Sequence, residues 1–97
     1  MKPVKRVELV LDALEVPHLL ESLADFDINA YTVIREAHGK GERGTRGGDV
    51  FSGAFDNSYV VIACSEEQSH QIVETARPIL KRLGGICLVS DAMWVLH

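Results

Sequence analysis

The glycines of this 97-residue chain are confined to two places, and they divide it more sharply than any other feature. Six of the eight crowd between Gly39 and Gly53, and the other two are adjacent, Gly84-Gly85. The first cluster, Gly39-Lys40-Gly41-Glu42-Arg43-Gly44-Thr45-Arg46-Gly47-Gly48-Asp49, interleaves flexible backbone with three cations. Glycine lets amide N–H groups turn toward an anion with no Cβ in the way, and Lys40, Arg43 and Arg46 supply charge. Guanidinium forks suit phosphate oxygens bidentately, and a lysine adds a point charge. Two such clusters point to a phosphate-bearing ligand held between two loops.

The stretches between the clusters read as regular elements. Val4 to Leu11 is a strand with one fully apolar face. Val16-Pro17 opens a helix, with proline near the first position where its missing N–H costs nothing. Leu19, Leu20, Leu23, Ala24 and Phe26 then recur at helical spacing, and Asp27-Ile28-Asn29 closes the element. Ala30 to Glu36 is a β-branched second strand. The glycine loop runs from His38 to Asp56, followed by a third strand from Tyr59 to Cys64.

Ser65-Glu66-Glu67-Gln68 fits a capping box and starts a second helix, with Ile72, Val73, Ala76, Ile79, Leu80 and Leu83 as its buried stripe. Pro78 lies inside it and predicts a kink or an early break. Gly84-Gly85 suits a helix C-cap, and Ile86 to Val89 is a fourth strand that Asp91 to His97 could extend.

The resulting order, β-α-β, long loop, β-α-β, predicts an α+β ferredoxin-like βαββαβ fold: an antiparallel sheet with both helices on one face. Residues 1–97 are expected to form a single domain. Tyr59–Cys64 and Ile86–Val89 are apolar at consecutive positions, so both faces of those strands want burial. Two helices cover only one face. The other predicts a homo-oligomer with its open sheet faces turned inward.

Composition narrows the function. A net charge of −4 argues against a general nucleic-acid or anionic-membrane binder, so the cationic loop opposes the chain average. No run of eighteen apolar residues is present for a transmembrane helix, and Glu8 and Asp12 interrupt any secretory signal core. Cys64 and Cys87 lack CxxC spacing and read as buried reduced thiols of a cytoplasmic protein. His18, His38, His70 and His97 share no ligand spacing, so no metal is expected, and only His38 stands where it could meet an anion. No nucleophile–base constellation is visible, and the loop is not a Walker A loop, since no Gly-Lys-Ser/Thr ends it at a helix. Phe51 and Phe55 are unusual in a solvated loop and could anchor its base or present a partner-binding tip.

Tyr31-Thr32-Val33, then Gly39-Lys40-Gly41-Glu42-Arg43, Gly85-Ile86 and the ending Asp91-Ala92 resemble the PII signalling superfamily. The likeness covers nearly the whole chain. It is closer to the PII-like branch associated with carboxysomes and bicarbonate transport than to the nitrogen-regulatory proteins. The resemblance implies a non-catalytic, homotrimeric signalling protein that binds an adenine nucleotide in clefts between subunits and signals by reshaping the T-loop between its second and third strands. It implies that Thr32 lines the adenine or ribose side. Gly39, Lys40, Gly41, Arg43 and Arg46 would wrap the phosphates, and Gly85 and Ile86 would offer backbone contacts from the adjoining edge. Bicarbonate as a second ligand and a transporter or carboxysome component as target follow from the same resemblance.

Departures from the nitrogen-regulatory pattern are informative. Residues 38–56 contain no tyrosine for uridylylation. Leu83-Gly84-Gly85-Ile86 is too short for the basic segment that follows the second helix in those proteins, and Met93-Trp94-Val95-Leu96-His97 lacks their C-terminal arginines. Fewer cations favour ADP or AMP over ATP. Among other owners of this fold, a metal-tolerance trimer of the CutA type has no such cationic glycine loop. An RNA-binding domain needs aromatics on its open sheet face in basic surroundings. An acylphosphatase-like enzyme needs a phosphate loop where Asp12-Ala13-Leu14-Glu15 stands.

Overall fold

The computed structural model describes residues 1–37, 39–41, 44–46 and 56–97, with side chains at 1–37 and 56–97. In chain order the elements are β1 (Lys2–Asp12), α1 (Val16–Ala24), β2 (Thr32–Ala37), β3 (Gly39–Gly41), β4 (Gly44–Arg46), β5 (Asn57–Cys64), α2 (Glu66–Leu83) and β6 (Ile86–Trp94). A single 3-10 turn, Ala13–Glu15, precedes α1.

β1 organises the sheet. Val7, Leu9 and Leu11 alternate with Arg6, Glu8 and Val10, so from Val7 to Leu11 one face is wholly apolar. β5 pairs with one side of β1 and β6 with the other, while β2 pairs with β5 alone, giving the order β2-β5-β1-β6. All three pairings are antiparallel, as the ferredoxin-like arrangement requires. The register sets Leu9 between Val60 and Cys87, and Val7 between Ile62 and Val89.

Both helices lie on that apolar face. Val16, Leu19 and Leu23 of α1 and Ile72 and Ala76 of α2 close over Val7, Leu9, Leu11, Val60, Ile62 and Cys64 in one buried cluster. The helix ends are satisfied locally. Asp12 Oδ1 accepts from the backbone N–H of Leu14 at 2.9 Å. At α2, Ser65 Oγ accepts from the N–H of Gln68 while Gln68 Oε1 accepts from the N–H of Ser65, both at 3.1 Å, the reciprocal capping box expected there. Arg82 in the last turn of α2 donates to Glu15 at 2.8 Å and ties the two helical regions together.

Several expectations need correction. Phe26 does not belong to the buried stripe: α1 ends at Ala24, and Phe26 is 40% exposed in the turn that follows. Asp27 takes φ 61 there and returns Ile28 to the core, so the chain is still crossing to the sheet at Ala30 and β2 begins at Thr32. Pro78 does not break α2 early, since the helix runs to Leu83. The carbonyl that loses its donor belongs to Glu74, and both residues are exposed, so water can take its place. Cys87 is half-buried rather than buried. The glycine loop contains regular structure: β3 pairs antiparallel with β4, Lys40 opposite Thr45 and Gly39 opposite Arg46.

Candidate functional site

The anticipated binding residues fall into separate groups. Thr32 is the first residue of β2, exposed, and opposite Val61 of β5 on the face away from the helices. Gly85 and Ile86 stand at the start of β6. β2 and β6 are the two edges of the sheet, three strand spacings or about 14 Å apart. One copy of the chain therefore does not bring Thr32 together with Gly85 and Ile86. Gly39, Lys40, Gly41 and Arg46 lie on the β3–β4 backbone, but the side chains of Lys40 and Arg46 lie outside the described residues, as do Arg43, His38, Phe51 and Phe55.

The glycine pair has a packing role of its own. The N–H of Gly84 donates to the carbonyl of Leu80 at 2.8 Å and caps α2. Gly84 and Gly85 adopt φ of 80° and 119°, where side chains with a Cβ are strained. A Cβ on Gly85 would run into the carbonyl oxygen of Val10 and approach Leu80 Cδ2 to 3.0 Å. The connection from α2 to β6 consists of these two residues only and carries no cation.

The base of the glycine loop is anchored on both sides. The N–H of Ala13 donates to the carbonyl of Asp56 at 2.8 Å, fixing the residue that enters β5. At the other side the β2–β5 register shifts between Ile34 and Ala37, and Glu36 adopts φ 59 within that step. Glu36 and Asp56 both border an open groove of about 920 Å³ between α1 and β2, floored by Val16, Leu20, Ile28 and Val33. A smaller depression of about 530 Å³ lies beside the N-terminus of α2, with Val4, Ala63 and Trp94 in its wall.

The face of the sheet away from the helices holds a cluster that the sequence reading missed. Tyr59 Oη donates to Glu8 Oε2 at 2.7 Å, Arg6 Nε lies 3.3 Å from Glu8 Oε1, and Arg6 Nε donates to Ser90 Oγ at 3.2 Å. The hydrogen bond to the Glu8 carboxylate raises the Tyr59 hydroxyl above its ordinary pKa and keeps it protonated. The available signal was Arg6 and Glu8 two residues apart in an apolar strand, which puts both on one face. Apolar side chains surround the cluster, with Ile34, Ile86 and Leu88 each more than half exposed.

The thiols are not activated: burial raises both Cys64 and Cys87, and for Cys87 the Arg77 guanidinium opposes that only in part. Among the described residues no group of three or more His, Cys, Asp or Glu side chains could hold a metal ion. No described helix is long and apolar enough to cross a membrane.

An antiparallel sheet of order β2-β5-β1-β6 under two helices, with a long glycine-rich connection between β2 and β5, defines the ferredoxin-like class of fold. The family model for nitrogen regulatory protein P-II matches residues 4–96, and the chain belongs to that family. Among solved structures it is similar to CPII, a nitrogen regulatory PII-like protein from Thiomonas intermedia K12 bound to ADP, AMP and bicarbonate. The two are 22% identical with a TM-score of 0.81, over 95% of this chain and 88% of that one. A second CPII structure, with ADP, AMP and acetate, gives 19% identity and 0.81 over 98% and 91%. GlnK of B. subtilis in complex with ATP gives 20% identity and 0.69 over 95% and 84%. At these identities the likeness is one of fold. A search of curated proteins returned no match.

Proposed function

We propose that residues 1–97 act as one PII-like domain, a non-catalytic cytoplasmic regulator that assembles as a homotrimer and takes an adenine nucleotide into clefts between neighbouring copies. Thr32 contributes the adenine or ribose side from one copy. Gly39, Lys40, Gly41, Arg43 and Arg46 wrap the phosphates, and Gly85 and Ile86 close the cleft from the other sheet edge. The observation that carries this reading is the separation of Thr32 from Gly85 and Ile86 on opposite edges, which supports a cleft completed by a second copy. The nucleotide biases the conformation of the glycine loop, and the loop presents that state to a protein target.

ADP or AMP is favoured over ATP, because the two-residue link from α2 to β6 has no room for an added phosphate-binding cation. The bicarbonate-bound CPII structure supports bicarbonate as a further ligand. On that reading the protein serves inorganic-carbon metabolism, with a transporter or carboxysome component as its target. Nitrogen-regulatory signalling is the second reading, favoured by the family model.

Titration calorimetry with ATP, ADP and AMP, with and without bicarbonate, tests the proposal. ADP or AMP binding at least as tightly as ATP is the expected result. ATP binding more than about tenfold tighter than both (about 1.4 kcal/mol) reverses the ranking and favours the second reading. No binding of any of the three ends the nucleotide assignment.

A further inference from the structure

The outward face of the sheet carries one polar cluster in an apolar field. Arg6 and Glu8 stand on the central strand, Tyr59 on β5 and Ser90 on β6, so three strands contribute to one connected set. From Val4 to Val10 the other outward positions of these strands are apolar: Ala92 beside Val4, Ala63 beside Arg6, Val61 and Leu88 beside Glu8, Ile86 beside Val10. This patch is neutral, one cation against one anion, on a chain of net charge −4. Copies can therefore approach through it without the repulsion that acts elsewhere on the surface. Both Glu8 oxygens already have partners within the chain, so covering the carboxylate leaves no acceptor stranded.

We infer that the Arg6–Glu8–Tyr59–Ser90 cluster is the register key of the contact between copies of this chain, fixing how far one copy is rotated on the next. Apolar contact is non-directional and tolerates sliding. A covered ion pair with hydrogen-bonded neighbours does not, and setting register is the best-attested use of such groups. Each copy offers its cation and anion side by side, so sliding one copy on the next changes what each charge faces, which purely apolar side chains would not register. The inference rests on the trimer reading above. It adds that the position of the nucleotide cleft depends on residues that do not touch the nucleotide.

Sedimentation velocity on the full chain, over a concentration series, tests it. The parent is expected to form one closed species. Glu8→Ala leaves Arg6 uncompensated on the covered face and should weaken assembly by about tenfold or more, with circular dichroism reporting whether the subunit stays folded. Tyr59→Phe removes one hydroxyl from a half-exposed ring; should Glu8→Ala not fold, this variant decides, with an expected weakening of about threefold. The combined Arg6→Met, Glu8→Leu, Tyr59→Phe chain should remain associated but spread over more than one stoichiometry. Parent-like assembly of the folded single variants, or a single parent-like stoichiometry for the combined one, overturns the register role and leaves the trimer reading standing. A parent that is monomeric at every concentration removes the trimer reading as well.

Discussion

Gly85 and Val10 touch backbone to backbone: a Cβ on Gly85 would occupy the space held by the Val10 carbonyl oxygen. Val10 pairs with Ile86 in the β1–β6 ladder, so this approach lets β6 join β1 directly after α2 ends. Gly85→Ala therefore meets both a strained φ of 119° and a backbone obstruction. It should destabilise the fold by about 2–4 kcal/mol in urea unfolding. Lost nucleotide binding in that variant would report on the fold, not on a ligand contact.

Arg43→Ala and Arg46→Ala address the phosphate assignment more cleanly. Each should weaken ADP binding by about 1.5–3 kcal/mol, the scale of a charge-assisted hydrogen bond, with the melting temperature of the unliganded protein unchanged. Calorimetry in which both variants bind ADP as the parent does would remove the loop from the site.

Thermal-shift measurements offer a broader survey. A nucleotide that binds only the native protein adds about 2.7 kcal/mol at 100 times its dissociation constant. ADP and AMP should raise the melting temperature, and inorganic phosphate at equal concentration should not.

The alkaline limb of the stability curve should slope downward. Burial raises the pKa of Cys64 and Cys87, and the Glu8 hydrogen bond raises that of Tyr59. The Asp91 hydrogen bond and charge raise that of Lys5. In each case the folded chain holds its proton more tightly than the unfolded chain. That contribution is fully present below the unfolded pKa values and is lost as pH rises through the folded ones. Urea midpoints should be flat up to about pH 8 and fall above about pH 9.

Pro78→Ala restores a donor to the Glu74 carbonyl on an exposed surface of α2 and should stabilise the fold, by up to about 3 kcal/mol. An unchanged or lowered urea midpoint would mean that proline's restriction of the unfolded chain offsets the missing bond.

The elements that were legible from sequence are those whose signal is local. The alternation of Val7, Leu9 and Leu11, the Ser65–Gln68 box and the glycine cap at Gly84 each act within a few residues. What escaped was set by tertiary contacts. Phe26 keeps helical spacing but falls past the last turn, where Asp27 reverses the chain. The Glu8–Tyr59 hydrogen bond joins residues 51 apart, and only the β1–β5 register makes them neighbours. The separation of Thr32 from Gly85 and Ile86 on different sheet edges came from the strand order, which no local motif encodes.

The irregular step on β2, where Glu36 takes φ 59 and the pairing with β5 slips between Ile34 and Ala37, has a further consequence. A straight outermost strand is a template on which foreign β-segments can stack without limit. Here the kinked backbone spoils that template just before the glycine hairpin. Open-ended addition of further strands along this edge is thereby disfavoured.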